Sequence, residues 1–296
     1  MLFLKSAWTM TQPTASPALP EVRFARIPLP SQVRYLGDRF SYLEAGPADA
    51  PGVLFLHGIG SNASYYRFQF AALSQHFRVV AWNAPGYWMS DNFKTEHPSD
   101  ADYAQAVADF TQAVGLQQFV LCGNSFGSVV AQAFAMRHPQ RVPCLILTGT
   151  GVGQQQVSPE RREKFEARAR RIRLGSYQYG DAGVDNLVGS QASPALRAML
   201  VEVARGTQAE GLLRAVSFRL SSFYTPDLAS ALTMPVLLVQ GSEDQVNPRQ
   251  ENADLLLPEL PNGRLVELPG IGHLPEAEAP NAFNQLLRDF VGSVDR

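Results

Sequence analysis

Two cysteines in 296 residues, Cys122 and Cys144, are too few for a disulfide framework or a cysteine-rich metal site. Both sit inside apolar runs, where a reduced thiol packs as a small hydrophobe. Net charge is small as well. The 25 Lys and Arg against 27 Asp and Glu leave a formal −2, which argues against a broad nucleic-acid surface. No run reaches the roughly 20 apolar residues of a transmembrane helix. The N-terminus, Met1-Leu2-Phe3-Leu4-Lys5, turns polar and proline-containing through Pro20. It lacks the leading basic residues and the ~7–15 apolar residues of a secretory signal. A cytoplasmic enzyme is therefore the expectation, with residues 1–20 a flexible extension and Met10 a candidate start.

What the chain does have is a rhythm. Stretches 22–29 and 33–44 read as an antiparallel pair of edge strands meeting at Pro30-Ser31. Val53-Leu54-Phe55-Leu56 is wholly apolar, as a strand covered on both faces must be. A helix is expected over 65–74 with Phe68, Ala71 and Ala72 on its inner face, then a strand over 77–82. A second helix spans 101–114, with Gly115 as its stop signal. Next come a strand at 119–122, a helix over 129–136 closed by His138-Pro139, and a strand at 144–147. From Gly151 to Met234 no strand is convincing and several segments are helical, one opening at Ser158-Pro159-Glu160. Alternation resumes with a strand at 236–239, a helix near 250–257 and a strand at 264–268. In the last helix Phe283, Leu286, Leu287, Phe290 and Val291 form one stripe. The pattern predicts an α/β fold: a mostly parallel, eight-stranded sheet with helices on both faces. Residues 21–150 and 235–296 form its core, and 151–234 a helical cap above the sheet's carboxyl edge.

Gly123-Asn124-Ser125-Phe126-Gly127 lies between an apolar strand and a helical pattern, the context that gives G-x-S-x-G its meaning. The glycines allow strand and helix to approach closely around a strained position that presents Ser125. A serine needs a base, and the base needs an acid to orient it. Among five histidines, His57, His76, His97 and His138 occupy turns, polar connections or a helix end. His273, in Gly270-Ile271-Gly272-His273-Leu274 after the last strand, reaches the same sheet edge as Ser125 and is the expected base. The segment 148–152 has no carboxylate, so the acid follows the strand at 236–239, where Glu243 and Asp244 stand. Asp244, shorter and deeper in the turn, is favoured, and Glu243 is expected to point elsewhere. Two backbone N–H groups should hold the oxyanion, one from Phe126 and the other from His57-Gly58-Ile59-Gly60, most directly Ile59.

Together His-Gly-Ile-Gly, Asn-Ala-Pro-Gly, Gly-Asn-Ser-Phe-Gly, Gly-Ser-Glu-Asp and Gly-Ile-Gly-His resemble the α/β-hydrolase superfamily from about residue 30 to 293. The resemblance implies the same roles: Ser125 nucleophile, His273 base, Asp244 orienter, Ile59 and Phe126 oxyanion donors. Small-ester hydrolases, enol-lactonases and C–C hydrolases are the subgroups most similar. Gly-Asn-Ser-Phe-Gly with Arg137-His138-Pro139 is similar to the C–C hydrolases, but those carry tryptophan after the histidine, where this chain has Leu274. Asn83 and Trp88 also depart from many relatives, which have Asp and a small residue there.

The expected activity is hydrolysis of a carboxylic ester or lactone through an acyl-enzyme, without metal or organic cofactor. Its rivals are a hydrolase cleaving a carbon–carbon bond beside a ketone in a ring-fission product, and a weakly catalytic binding protein on the same fold. Perhydrolysis is a side activity open to the same site. Trp88, Met89 and Leu274 are candidate pocket residues for an apolar substrate group, with Phe126 beside them. Gly149-Thr150-Gly151-Val152-Gly153 is off register for a dinucleotide loop and reads as an entry to the cap. The basic run Arg161, Arg162, Lys164, Arg168, Arg170, Arg171 and Arg173 reads as a solvated helix face, or as a rim attracting a substrate carboxylate.

Overall fold

A computed structural model describes residues 16–154, 158–175, 181–221 and 223–294. The expected extension lies outside them up to residue 15, as does Met10, and residues 16–20 have no regular structure. Eight strands form one sheet: β1 (Val22–Arg26), β2 (Arg39–Ala45), β3 (Gly52–Leu56), β4 (Arg78–Trp82), β5 (Phe119–Asn124), β6 (Leu145–Thr148), β7 (Val236–Gly241) and β8 (Gly263–Leu268). Their spatial order is β1-β2-β4-β3-β5-β6-β7-β8. The β1–β2 and β2–β4 pairs are antiparallel, and every other pair is parallel.

Alternate residues of the central strands feed two apolar layers. Leu54, Leu56, Leu121, Leu145 and Leu147 join one cluster with Val129, Val130 and Phe134. Val53, Phe55, Val120, Cys122 and Ile146 join the other with Phe283, Leu287 and Phe290. Each fully buried side chain of this size contributes about 1.5–3 kcal/mol. The helices that cover the layers are α1 (Arg67–Leu73), α2 (Asp100–Ala113), α3 (Phe126–Arg137), α8 (Ala253–Leu256), α9 (Pro275–Glu278) and α10 (Pro280–Val294). A capping box between Ser99 and Asp102 starts α2, and Gly115, at φ 71°, follows its end. Between β6 and β7 the chain passes through α4 (Pro159–Arg173), α5 (Asp181–Asp185), α6 (Pro194–Arg205) and α7 (Ala209–Phe218). Gly153 and Tyr224 form an isolated antiparallel bridge, so this insertion leaves and returns side by side.

Two local expectations need correction. The second edge strand is shorter than the pattern implied, because residues Ser31–Arg34 form a 3-10 turn and only Arg39–Ala45 is strand. Ser31 Oγ and Tyr35 Oη both donate to Asp109 on α2, at 2.8 and 2.7 Å, which holds that segment against the helix instead of the sheet. The first helix also turns a different face inward. Ala71 and Ala72 are exposed, while Phe68, Gln69, Phe70 and Leu73 are buried. The buried Gln69 gives that face a polar anchor, since its Nε2 donates to Glu276 O and Asn284 Oδ1.

Candidate active site

The segments that follow β3, β5, β6, β7 and β8 gather at one edge of the sheet, with the strand order reversing between β3 and β5. Such a reversal opens a crevice outside the carboxyl ends of parallel strands. Ser125 alone makes the turn from β5 into α3, at φ 52° and ψ −115°. A non-glycine residue rarely adopts this backbone, and it persists only where its surroundings enforce it. The enforcement is visible. Ser125 N–H donates to Thr148 O at 3.0 Å, and Ser125 O accepts from Ser128 N at 3.0 Å and from Ser128 Oγ at 2.6 Å. A methyl group on Gly123 would lie 2.4 Å from Gly127 O, and one on Gly127 would lie 2.1 Å from Leu56 O. No side chain fits at either position. Phe126 opens α3, so its N–H has no carbonyl one turn back to bind.

His273 and Asp244 meet as the sequence predicts. His273 Nδ1 and Asp244 Oδ2 are 2.9 Å apart, both residues being buried. The other carboxylate oxygen, Oδ1, accepts from Val246 N and Asn247 N at 2.9 Å each, and Gln240 Nε2 donates to Oδ2 at 3.0 Å. Burial alone would raise the Asp244 carboxyl. The opposing pull of His273, with these N–H donors, holds it below the usual carboxylate range. Glu243 does point elsewhere: its carboxylate accepts from Ser190 N at 2.6 Å and Ser190 Oγ at 3.1 Å, tying the insertion to the sheet edge. Gly149, at φ 45°, lies against the imidazole, where a methyl group would sit 2.7 Å from His273 Nδ1.

The loop after β3 closes over Ser125. A methyl group on Gly58 would come within 3.3 Å of Ser125 Cβ and 2.8 Å of Asn124 Oδ1. His57 is fully buried, accepts Ala84 N–H at Nε2 (3.1 Å) and contacts Gly58 O through Nδ1 (2.8 Å). Burial pushes its pKa down to about 4, so it is neutral there. Ile59 is half-buried and packs against a small apolar cluster of Ile172 from α4 with Leu212 and Val216 from α7. Of the remaining histidines, His76 is exposed, His97 pairs with Ser217 Oγ at 2.7 Å, and His138 packs its ring, tilted, against Phe134.

Four polar residues, Asn124, Thr148, Glu276 and Glu278, escaped the sequence reading. Asn124 Nδ2 donates to Thr148 Oγ1 at 3.1 Å and to His273 O at 3.2 Å. Glu276 accepts from Tyr65 Oη at 3.0 Å and from Thr148 Oγ1. Glu278 accepts from Gly189 N, Gly272 N and Leu274 N at 2.7–3.1 Å. The one available signal is the spacing: two glutamates three and five residues after His273 place carboxyls on the short turn that follows it.

The candidate pocket residues divide. Leu274 is buried in an apolar cluster with Ile271, Val188, Leu196 and Met199, and half-buried Trp88 packs against that cluster. Trp88 has φ 47°, and its carbonyl accepts from Gln208 Nε2 of the insertion. Met89 is half-buried beside it. Phe126 directs its ring away into a core group with Tyr87, Tyr103 and Phe218. On α4 Arg162, Lys164, Arg170, Arg171 and Arg173 are exposed, and Arg170 pairs with Glu163. Among the described residues no helix is long and apolar enough to cross a membrane, and no cluster of His, Cys, Asp or Glu has the makings of a metal site.

A serine at a strained strand-to-helix turn, an aspartate-paired histidine and this strand order define an α/β-hydrolase architecture. The chain belongs to that family: the family model described as "alpha/beta hydrolase fold" matches residues 51–280. It is 26% identical over 264 residues to the putative carbamate hydrolase RutD of Klebsiella pneumoniae, covering 85% of this chain and 96% of that protein. It is 28% identical over 257 residues to 2-hydroxy-6-oxononadienedioate/2-hydroxy-6-oxononatrienedioate hydrolase 1 of Dechloromonas aromatica, covering 81% and 86%. Among solved structures, a thermophilic esterase from Thermogutta terrifontis superposes with a TM-score of 0.80 at 23% identity, over 93% of this chain and 99% of that one.

Proposed function

We propose that this protein is a serine hydrolase acting on a carboxylic ester or lactone, with Ser125, His273 and Asp244 as its catalytic triad. The observation that carries the reading is the 2.9 Å contact of buried His273 with buried Asp244, at the sheet edge where Ser125 is strained out of its turn. Asp244 fixes the imidazole tautomer with the proton on Nδ1, leaving Nε2 to take the Ser125 proton as Oγ attacks the carbonyl. The N–H groups of Ile59 and Phe126 receive the oxyanion. The leaving alcohol departs with the proton from His273, and a water activated by the same imidazole releases the acid. Residues 151–234 act as a cap, and Trp88, Met89 and Leu274 bound the apolar part of the substrate.

The similarity to a hydrolase of 2-hydroxy-6-oxo dioates favours one second reading, cleavage of a carbon–carbon bond beside a ketone by the same triad. Leu274 in place of tryptophan weighs against it. The similarity to a putative carbamate hydrolase adds a carbamate, an acyl compound open to the same attack and absent from the sequence-based expectations.

Initial rates on p-nitrophenyl esters from acetate to octanoate test the reading. Wild type is expected to turn over with a chain-length optimum, and Ser125→Ala to be inactive. Absence of turnover by wild type on all of them overturns the esterase reading and directs the assay to carbamates and ring-fission dienols.

A further inference from the structure

Asp244 is one of three buried carboxyls around His273, and it is the one that bonds the ring. Glu278 spends both oxygens on backbone N–H groups. Glu276 is different. It is 1% exposed, three residues past the base on α9, and its carboxylate accepts from two side-chain hydroxyls. One of them, Thr148, is a hub. Its carbonyl accepts Ser125 N–H, and its Oγ1 accepts Asn124 Nδ2, which leaves the single Thr148 hydroxyl proton for Glu276. Asn124 in turn donates to His273 O and sits against Gly58. A single chain of contacts thus runs Tyr65–Glu276–Thr148–Asn124–His273, touching the nucleophile, the loop before Ile59 and the base.

Each hydroxyl in this chain brings its own proton, so the arrangement is satisfied when Glu276 is an acceptor on both oxygens, as an ionised carboxylate is. Burial raises this carboxyl above its ordinary value. The Thr148 and Tyr65 hydroxyls, its own backbone N–H and the nearby His273 all act in the other direction. Around it stand Tyr65 and Tyr66 before α1, Cys122 on β5, and His273 and Glu278 on either side in sequence. Among these groups only His273 gains positive charge during the proposed reaction.

We propose that Glu276 is a positioning residue for the hydrolysis. Its carboxylate pins Thr148, and through it Asn124 and the Ser125 backbone, and its charge favours the imidazolium that forms at His273. This inference rests on the triad reading above.

The test is steady-state kinetics from pH 5 to 9 on p-nitrophenyl butyrate, with wild type, Glu276→Gln, Tyr65→Phe and Ser125→Ala, each checked for folding by thermal melting. Glu276→Gln is expected to lower kcat roughly tenfold with KM little changed, the size of effect of removing one nearby charge. The acid limb of its kcat/KM profile should move to lower pH, because loss of the negative charge disfavours the protonated imidazole. Tyr65→Phe, which keeps the carboxyl and removes one donor, should give a smaller loss of kcat confined to the acid side. If Glu276→Gln does not fold, Tyr65→Phe decides. A folded variant whose kcat and pH profile superpose on wild type overturns the role of Glu276 while leaving the triad intact. Turnover by Ser125→Ala overturns both.

Discussion

His57 donates from Nδ1 to the carbonyl of its neighbour Gly58 at 2.8 Å, because its other nitrogen is occupied by the Ala84 N–H at 3.1 Å. The tautomer is therefore fixed by β4's exit loop, and the Gly58 carbonyl by the tautomer. Since a trans peptide is planar, pointing Gly58 C=O at His57 sets Ile59 N–H on the opposite side of that peptide. A histidine outside the proposed triad thereby orients a proposed oxyanion donor. His57→Ala should lower kcat by about 10–100-fold, less than outright loss of a donor, with KM changed far less. It should also cost about 1–3 kcal/mol for each buried polar group left unpaired. Kinetics paired with denaturant melts separate the two effects; lost stability with wild-type kcat would mean that the Gly58–Ile59 peptide holds itself.

Two adjacent carboxylates, Glu243 and Asp244, should behave oppositely. Asp244→Asn keeps the shape of the turn but offers an amide to His273 Nδ1, so the imidazole is free to take the wrong tautomer. A loss of about 10³–10⁴-fold in kcat is expected. Glu243→Gln disturbs the bonds to Ser190 in the insertion and should leave kcat within about threefold, as for most half-exposed positions remote from chemistry. Equal losses in the two variants would show that the sheet-edge turn fails as a whole and that Asp244 has no separate role.

Gly149→Ala tests how tightly the imidazole is seated. The new methyl would meet His273 Nδ1 and His273 O at 2.7 Å each, on a backbone already at φ 45°. Strain from such a backbone is about 1–3 kcal/mol. Gly115, at φ 71° with nothing within 4 Å, supplies the control, because Gly115→Ala carries the strain without the collision. Both variants should lose stability, and Gly149→Ala alone should lose more than about tenfold in kcat. Equal activity in the two would mean that the ring moves aside freely.

The succession of strands along the chain and the turns at their ends were legible because apolar runs and glycine turns are local signals, whereas their spatial order was not. Val53–Leu56 and Phe119–Cys122 announce buried strands, and each is followed within a few residues by a turn that holds a proposed site residue. The inner face of α1 was not legible. Ala71 and Ala72 fit an apolar stripe, yet Gln69 is buried in their stead because a partner more than 200 residues away in the chain accepts its hydrogen bonds. Glu276 and Glu278 were hidden for the same reason. Only the folded chain supplies Tyr65, Thr148 and the N–H of Gly189.

Those two glutamates also give the stability a pH dependence with a definite sign. Burial raises the Glu276 carboxyl above its ordinary value of 4.5, so between the unfolded and folded values the native state holds a proton that the unfolded state has lost. Stability from this group is complete below the unfolded value and falls as pH rises through the folded one. Glu278, raised chiefly by burial, runs the same way. Asp244, held low by His273 and its N–H donors despite burial, runs oppositely, its stability being lost as pH falls. Comparing Glu276→Gln with wild type cancels the terms that both proteins share. The difference in melting temperature, variant minus wild type, should therefore increase from pH 4 upward and level off above the folded value of Glu276. A difference that stays constant across that range would mean Glu276 binds its proton equally well in both states, and that its two hydroxyl donors fully offset its burial.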